Sequence, residues 1–254
     1  MPDLKIPNFP GASPACRRRF ACPGMTLAII AVIVVMLVYA SASAQVPSDL
    51  GFTTRVSQGL INQMTERFSA AARNLLGDWI NAARTQKQPP SFLQKLEREK
   101  GSEAAVLQIV NDQLNRIPWK SDQSHWGQAD YWATPAESVA SNGADCEDYA
   151  IAKYYLLKEL GVPLERLRIT YVRAIKLNEA HMVLAYYASP DADPLILDNL
   201  EKRVRPASER TDLVPVYSFN DDEAVIVQSG VKGKPSQIRA WLSVQERLMA
   251  QTRI

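Results

Sequence analysis

The sequence is short of the side chains from which metal centres and disulfide scaffolds are usually built. Its 254 residues hold three cysteines and two histidines. Two of the cysteines, Cys16 and Cys22, fall in the first 24 residues, which leaves Cys146 as the one thiol of everything downstream. A disulfide framework is therefore excluded for that part, and a zinc site made from Cys146, a histidine and an acid has no short ligand spacing to support it. A basic surplus is missing as well. From residue 45 onward 25 lysines and arginines face 26 acids, a net charge near −1. Nucleic-acid binding calls for a basic face and is not expected. There is no EF-hand loop, no internal repeat and no low-complexity block.

Long apolar runs are also scarce. The one present, "MTLAIIAVIVVMLVYA" at 25–40, has sixteen residues, short of the roughly 20 that a spanning helix needs. Lys5 and Arg17-Arg18-Arg19 precede it, and Ala42-Ser43-Ala44 follows. Basic stretch, apolar core and small-residue site predict a secretory signal peptide over 1–44, cut after Ala44, with an uncleaved inner-membrane anchor as the competing reading. The run "RRRF" leaves the twin-arginine route open beside the general one.

What is there reads as helices followed by strands. Apolar residues at helical spacing run through 59–83; Ser91 caps a short helix after "QKQPP"; Ser102 caps another over 102–117. Residues 45–117 thus form a helical part, packed on a core over 118–254. The stretch 118–143 holds Trp119, Trp126, Tyr131 and Trp132 without either period, and is expected to be loop. Its tryptophans are core anchors or, for Trp126 and Trp132, walls of a cleft. A helix is predicted from Cys146 to Leu160, stopped by Gly161 and Pro163. Strands are expected at 167–175, 180–188, 194–200, 215–220 and 224–228, the first two antiparallel neighbours. A C-terminal helix over 235–251 completes an α+β chain.

The chemistry gathers around "SNGADCEDYAIAKYYLLKEL" (141–160). Asp145, Glu147 and Asp148 crowd Cys146, although nearby carboxylates oppose formation of the reactive thiolate. A buried inert cysteine belongs on an apolar face, so this setting needs a reason. His181 near the start of one strand and Asp198 at the end of the next are placed to join Cys146 as base and orienting acid. The helix N-terminus favours a negative sulfur. For the acids, helix capping by Asp145 and Asp148 suffices on residue types alone. Hard oxygen ligands for calcium are the other reading.

The stretch "DYWATPAESVASNGADCEDYAIAKYYLLKELGVP", with "AHMVL", "LILDNL" and "YSFN" further on, resembles the bacterial transglutaminase-like cysteine proteinases. The likeness spans roughly residues 110–225. It implies a papain/transglutaminase-like α+β core with the cysteine on a central helix and His and Asp on an antiparallel sheet. It implies Cys146 as nucleophile, His181 as general base and acid, Asp198 as orienting partner, and calcium held by Asp145 and Glu147. It further implies a periplasmic endopeptidase that cuts large surface adhesins near their N-terminus, at a small-residue site with two alanines, and so disperses biofilm. An inner-membrane receptor for cyclic di-GMP would sequester the enzyme through its periplasmic domain. Two other readings stay open at this point: transglutaminase-type acyl transfer to an amine, and a non-catalytic calcium-responsive binding module.

Overall fold

The structure, a computed structural model, describes Asn62, Glu66 and residues 101–252. Asn62 and Glu66, inside the expected 59–83 helix, are helical. The rest of that segment, the short helix after Ser91 and the expected signal peptide lie outside the described residues.

Helix α1 (Glu103–Leu114) opens the described chain, with the Ser102 hydroxyl accepting from the Ala105 N–H. Its Leu107, Val110 and Leu114 enter the main core, against the helix that begins at Cys146. Residues 118–143, expected as loop, contain two short helices, α2 (Asp122–His125) and α3 (Pro135–Ser141). The second has a local cause. Thr134 Oγ1 accepts from the Glu137 N–H, the Glu137 carboxylate accepts from the Thr134 N–H, and Pro135 sits at the first helical position. That is a capping box on a residue whose φ is already helical. The tryptophans of this stretch are anchors. Trp126 and Trp132 are buried, Trp126 against Tyr131 and Trp132 stacked on Phe219.

Helix α4 (Cys146–Glu159) follows within one residue of its expected end. Gly161, at φ 85°, closes it: the Val162 N–H reaches the Leu157 carbonyl and the Gly161 N–H reaches that of Lys158. The left-handed backbone there is the reason for glycine. Seven antiparallel strands come next: β1 (Leu167–Ala174), β2 (Glu179–Tyr186), β3 (Leu195–Leu197), β4 (Arg205–Pro206), β5 (Leu213–Phe219), β6 (Ala224–Ile226) and β7 (Lys232–Gly233). Their order in the sheet is β4-β3-β2-β1-β5-β6-β7. The two strands absent from the sequence reading, β4 and β7, are the two-residue edges, too short to show a period. Short edges with a proline also discourage further strand pairing.

α4 packs across β1 and β2, burying Tyr149, Ala150, Tyr154 and Leu157 against Met182, Leu184, Leu197 and Phe219. Helix α5 (Arg239–Thr252) covers the same layer through Trp241, whose ring meets those of Tyr154, Tyr155 and Phe219. None of these helices, among the described residues, is long and apolar enough to cross a membrane. Trp241 is fully buried, so Trp241→Ala is expected to cost about 3–5 kcal/mol. Urea denaturation read by circular dichroism measures it; a loss below about 1 kcal/mol would mean that α5 is not part of the cooperative core.

Candidate active site and acidic cluster

Cys146 is the first residue of α4 and is buried, 3% exposed. Its position follows from how the chain enters the helix. The segment before it runs beside residues 118–120: the Ala144 N–H donates to the Pro118 carbonyl, and the Lys120 N–H to that of Ala144. Gly143 permits this approach, because a Cβ there would lie 2.7 Å from both His125 Nε2 and Lys120 Cδ. Tyr149, one turn into α4, donates its hydroxyl proton to the Ile117 carbonyl. Asp148 then fastens the helix start with both oxygens, accepting from the Asp145 N–H at 3.2 Å and the Ala133 N–H at 2.6 Å.

The structure brings His181 and Asp198 into direct contact. His181 lies on β2, opposite Val172 of β1, and Asp198 directly follows β3. Nε2 of the imidazole meets Asp198 Oδ1 at 2.7 Å, and both side chains are buried. The Leu200 N–H donates to the same oxygen at 2.9 Å, and Arg210 Nη2 donates to Oδ2 at 2.7 Å. Burial alone would raise the Asp198 pKa. The charge and hydrogen bond of His181, with Arg210 and the Leu200 N–H, outweigh it and hold the carboxyl well below its usual range. An anion so held favours imidazolium over imidazole. Cys146 stands on the helix that packs against β2, and its thiol donates to Glu147 Oε2 at 2.9 Å.

The acids around the thiol form one cluster with residues from far upstream. Asp122, Asp145 and Asp148 bring one oxygen each within 4.8 Å of one another, and so do Asp122, Asp130 and Glu147. The expected pair Asp145 and Glu147 thus falls into two groups joined by Asp122. Asp122 and Asp130 are the functional candidates that spacing did not reveal: Asp122 lies well upstream of Cys146, and Asp130, though it opens the stretch DYWATP, stands at no short ligand spacing from it. All but Asp130 are buried. Among the described residues no lysine or arginine pairs with any of the five. Asp122 Oδ1 and Asp145 Oδ1 are buried with no hydrogen-bond partner. Burial, and then repulsion from Glu147, pushes Asp122 up to about 7. Burial and neighbouring acids push Asp145 and Asp148 well above their normal range. Glu147 also rises through burial, against the pull of the Cys146 thiol. Orphaned carboxylate oxygens in a buried all-oxygen set fit a hard divalent cation such as calcium.

With the geometry in place, comparison with known proteins gives a consistent result. The family model "bacterial transglutaminase-like cysteine proteinase BTLCP" matches residues 83–219. LapG of Legionella pneumophila is 34% identical in its EGTA-treated structure, covering 77% of this chain and 99% of its own, with a TM-score of 0.56. The calcium-bound structure of that protein is also 34% identical, over 76% and 99%, with a TM-score of 0.54. No curated protein sequence matches the chain.

The cluster sets the response to pH once metal is removed. A carboxyl whose proton is held more tightly folded than unfolded stabilises the fold below its unfolded pKa of about 4. That contribution is lost as pH rises through the folded value, about 7 for Asp122. In chelator the melting temperature is expected to fall between roughly pH 5 and pH 7.5, and calcium to restore it most at the upper end. Differential scanning calorimetry with and without calcium checks this; a chelated protein that grows more stable across that interval contradicts it.

Proposed function

The chain belongs to the bacterial transglutaminase-like cysteine proteinases, and from that premise we propose a calcium-dependent cysteine endopeptidase with Cys146 as nucleophile, His181 as base and acid, and Asp198 as its orienting partner. The observation that carries the proposal is the buried 2.7 Å bond from His181 Nε2 to Asp198, on the strand against which the Cys146 helix packs.

Because Nε2 is committed to Asp198, the thiol proton goes to Nδ1. The thiolate is stabilised by the imidazolium it creates and by the N-terminus of α4. Sulfur attacks the scissile carbonyl, Nδ1–H protonates the leaving amine, and a thioester is left. Water, its proton taken by the same nitrogen, hydrolyses the thioester and frees the enzyme. Asp198 stays ionised throughout and keeps the ring in one tautomer. Calcium held by Asp122, Asp145 and Glu147, with Asp130 within reach of the same group, would supply positive charge that offsets the carboxylates beside the sulfur. Asp148, both oxygens engaged in backbone bonds, is the helix cap.

The substrate proposed is the N-terminal region of a large surface adhesin, cut at a small-residue site with two alanines. The proposed setting is the periplasm, reached through the 1–44 signal peptide. Control is assigned to the periplasmic domain of an inner-membrane cyclic di-GMP receptor. These are carried over from the family resemblance, and the EGTA-treated and calcium-bound forms of the Legionella protein support the metal.

Cys146→Ala is expected to end cleavage of an adhesin N-terminal fragment with the melting curve intact, and Asp198→Asn to lower kcat by about 10²-fold or more. Mass spectrometry of the fragment, with calcium or with chelator, reads both the cut and the metal dependence. New N-termini in Cys146→Ala would remove the protease reading. A labelled primary amine added to the same reaction separates hydrolysis from acyl transfer, since only transfer places label on the product.

A further inference from the structure

Asp198 divides its two oxygens between two partners of different kinds. Oδ1 faces His181 Nε2 and the Leu200 N–H, while Oδ2 takes Arg210 Nη2 at 2.7 Å. Arg210 comes from the loop between β4 and β5 and is 5% exposed. Its own orientation is set twice over. Nε donates to Asp212 Oδ1 at 3.0 Å, and Nη2 donates to Asp212 Oδ2 at 3.0 Å. Its backbone closes the turn after residues 207–209, with the Arg210 N–H on the Ala207 carbonyl and the Leu213 N–H on that of Arg210. The loop is pinned in turn: the Ala207 N–H bonds the Pro194 carbonyl, and the Ile175 N–H bonds that of Asp212. His181, Asp198, Arg210 and Asp212 thus form one alternating chain of charge from the sheet to the surface.

We propose that Arg210 is a positioning residue for the catalytic pair: by holding Asp198 Oδ2 it presents Oδ1 to His181 and fixes the imidazole with Nε2 as donor. It acts through Asp198 and touches no reacting atom. The inference rests on reading His181–Asp198 as the catalytic pair. The planar guanidinium suits this task because its donors lie in one rigid plane and reach two carboxylates at once. An Asp198 lacking that hold would have one buried oxygen without a partner, free to rotate away from the ring. One more cation faces Asp198, Lys153 of α4, but burial pushes that ammonium down to about 7 against the pull of Asp198 and Asp112. Near neutral pH Lys153 supplies an incomplete charge, and Arg210 supplies a whole one.

The chain has only two histidines, His125 and His181, so a histidine-selective ¹⁵N spectrum of the calcium-loaded protein contains two imidazoles, assigned with His125→Gln. The His181 Nε2–H proton is expected far downfield in the wild type. In Arg210→Met it is expected to move upfield or broaden, with kcat down about 10- to 100-fold and KM within about twofold. Loss of the cation beside Asp198 leaves the His181 imidazolium the more stabilised by it, so the alkaline limb of the pH–rate profile moves to higher pH. The charged groups facing Asp198 in that argument are His181 of β2, Arg210 and Asp212 of the loop, and Lys153 of α4. Arg210→Lys, which keeps the charge but loses the fork, is expected to show a smaller movement of the same resonance. An unmoved His181 resonance in both variants overturns the proposal, and so does a wild-type kcat in Arg210→Met. If Arg210→Met does not fold, the Arg210→Lys resonance alone decides. Should the wild type cleave no adhesin, the protease reading fails while the spectrum still tests the hold of Arg210 on the pair.

Discussion

Two groups of buried acids lie on the helix layer and sheet of this molecule, and the way each is balanced decides what the site can do. Removing a carboxylate from water costs several kcal/mol unless charge and hydrogen bonds are returned to it. Asp198 receives both from the protein: an imidazole, a guanidinium and a backbone N–H fill its lone pairs, and it stays an anion. The cluster of Asp122, Asp145, Glu147 and Asp148 receives backbone N–H groups and the Cys146 thiol but no protein cation among the described residues. One acid is finished by the fold. Asp148 is met by two backbone N–H groups, and the other three are left to be completed by protons or by a metal.

That difference suits the roles proposed for the two groups. The general base proposed at His181 needs a fixed ring and a permanent counter-charge, and the alternating chain from His181 to Asp212 would supply them without any external partner. The nucleophile proposed at Cys146 would benefit from a neighbour whose charge depends on what is bound. Glu147 serves as that neighbour, since its carboxylate accepts the thiol proton's hydrogen bond. While it does so the thiol is held as a donor, which would oppose the proposed transfer of its proton to His181. The fold places this contest at a helix N-terminus, where the backbone adds its own preference for negative sulfur.

The part of the site legible in the sequence is the part written locally. α4 announces itself through its apolar face, its acid cap and its Gly161 stop. The strands carrying His181 and Asp198 show β-branched and aromatic runs between polar links. Asp122 and Asp130 were hidden because neither stands at a short ligand spacing from Cys146; the pairing of 118–120 with Ala144 brings their stretch to the start of α4. Arg210 was hidden too, as one arginine among many until the β4–β5 loop folds under β3. Helix α3 is a different case. Its Thr-Pro-Ala-Glu signature was present in the residues, but four aromatics at irregular spacing dominated the stretch and masked a seven-residue helix with no apolar period.

Protons and a cation compete for the same oxygens in the acidic cluster, and the competition has a direction. With Asp122 pushed up to about 7 and Asp145 and Asp148 well above their usual range, the metal-free cluster holds its protons more tightly than exposed carboxyls do. A dication can enter only as those protons leave, so its affinity rises with pH and its binding acidifies the medium. Protonated acids relieve the burial cost equally well, yet they bring no positive charge to the sulfur; a cation does both. Asp122, Asp130, Asp145 and Glu147 can therefore satisfy the fold in either state, and on the proposed mechanism they support a thiolate only with the cation bound. A carboxylate cluster with its own lysine would have been the more self-sufficient way to close the core, needing neither protons nor a metal to balance it.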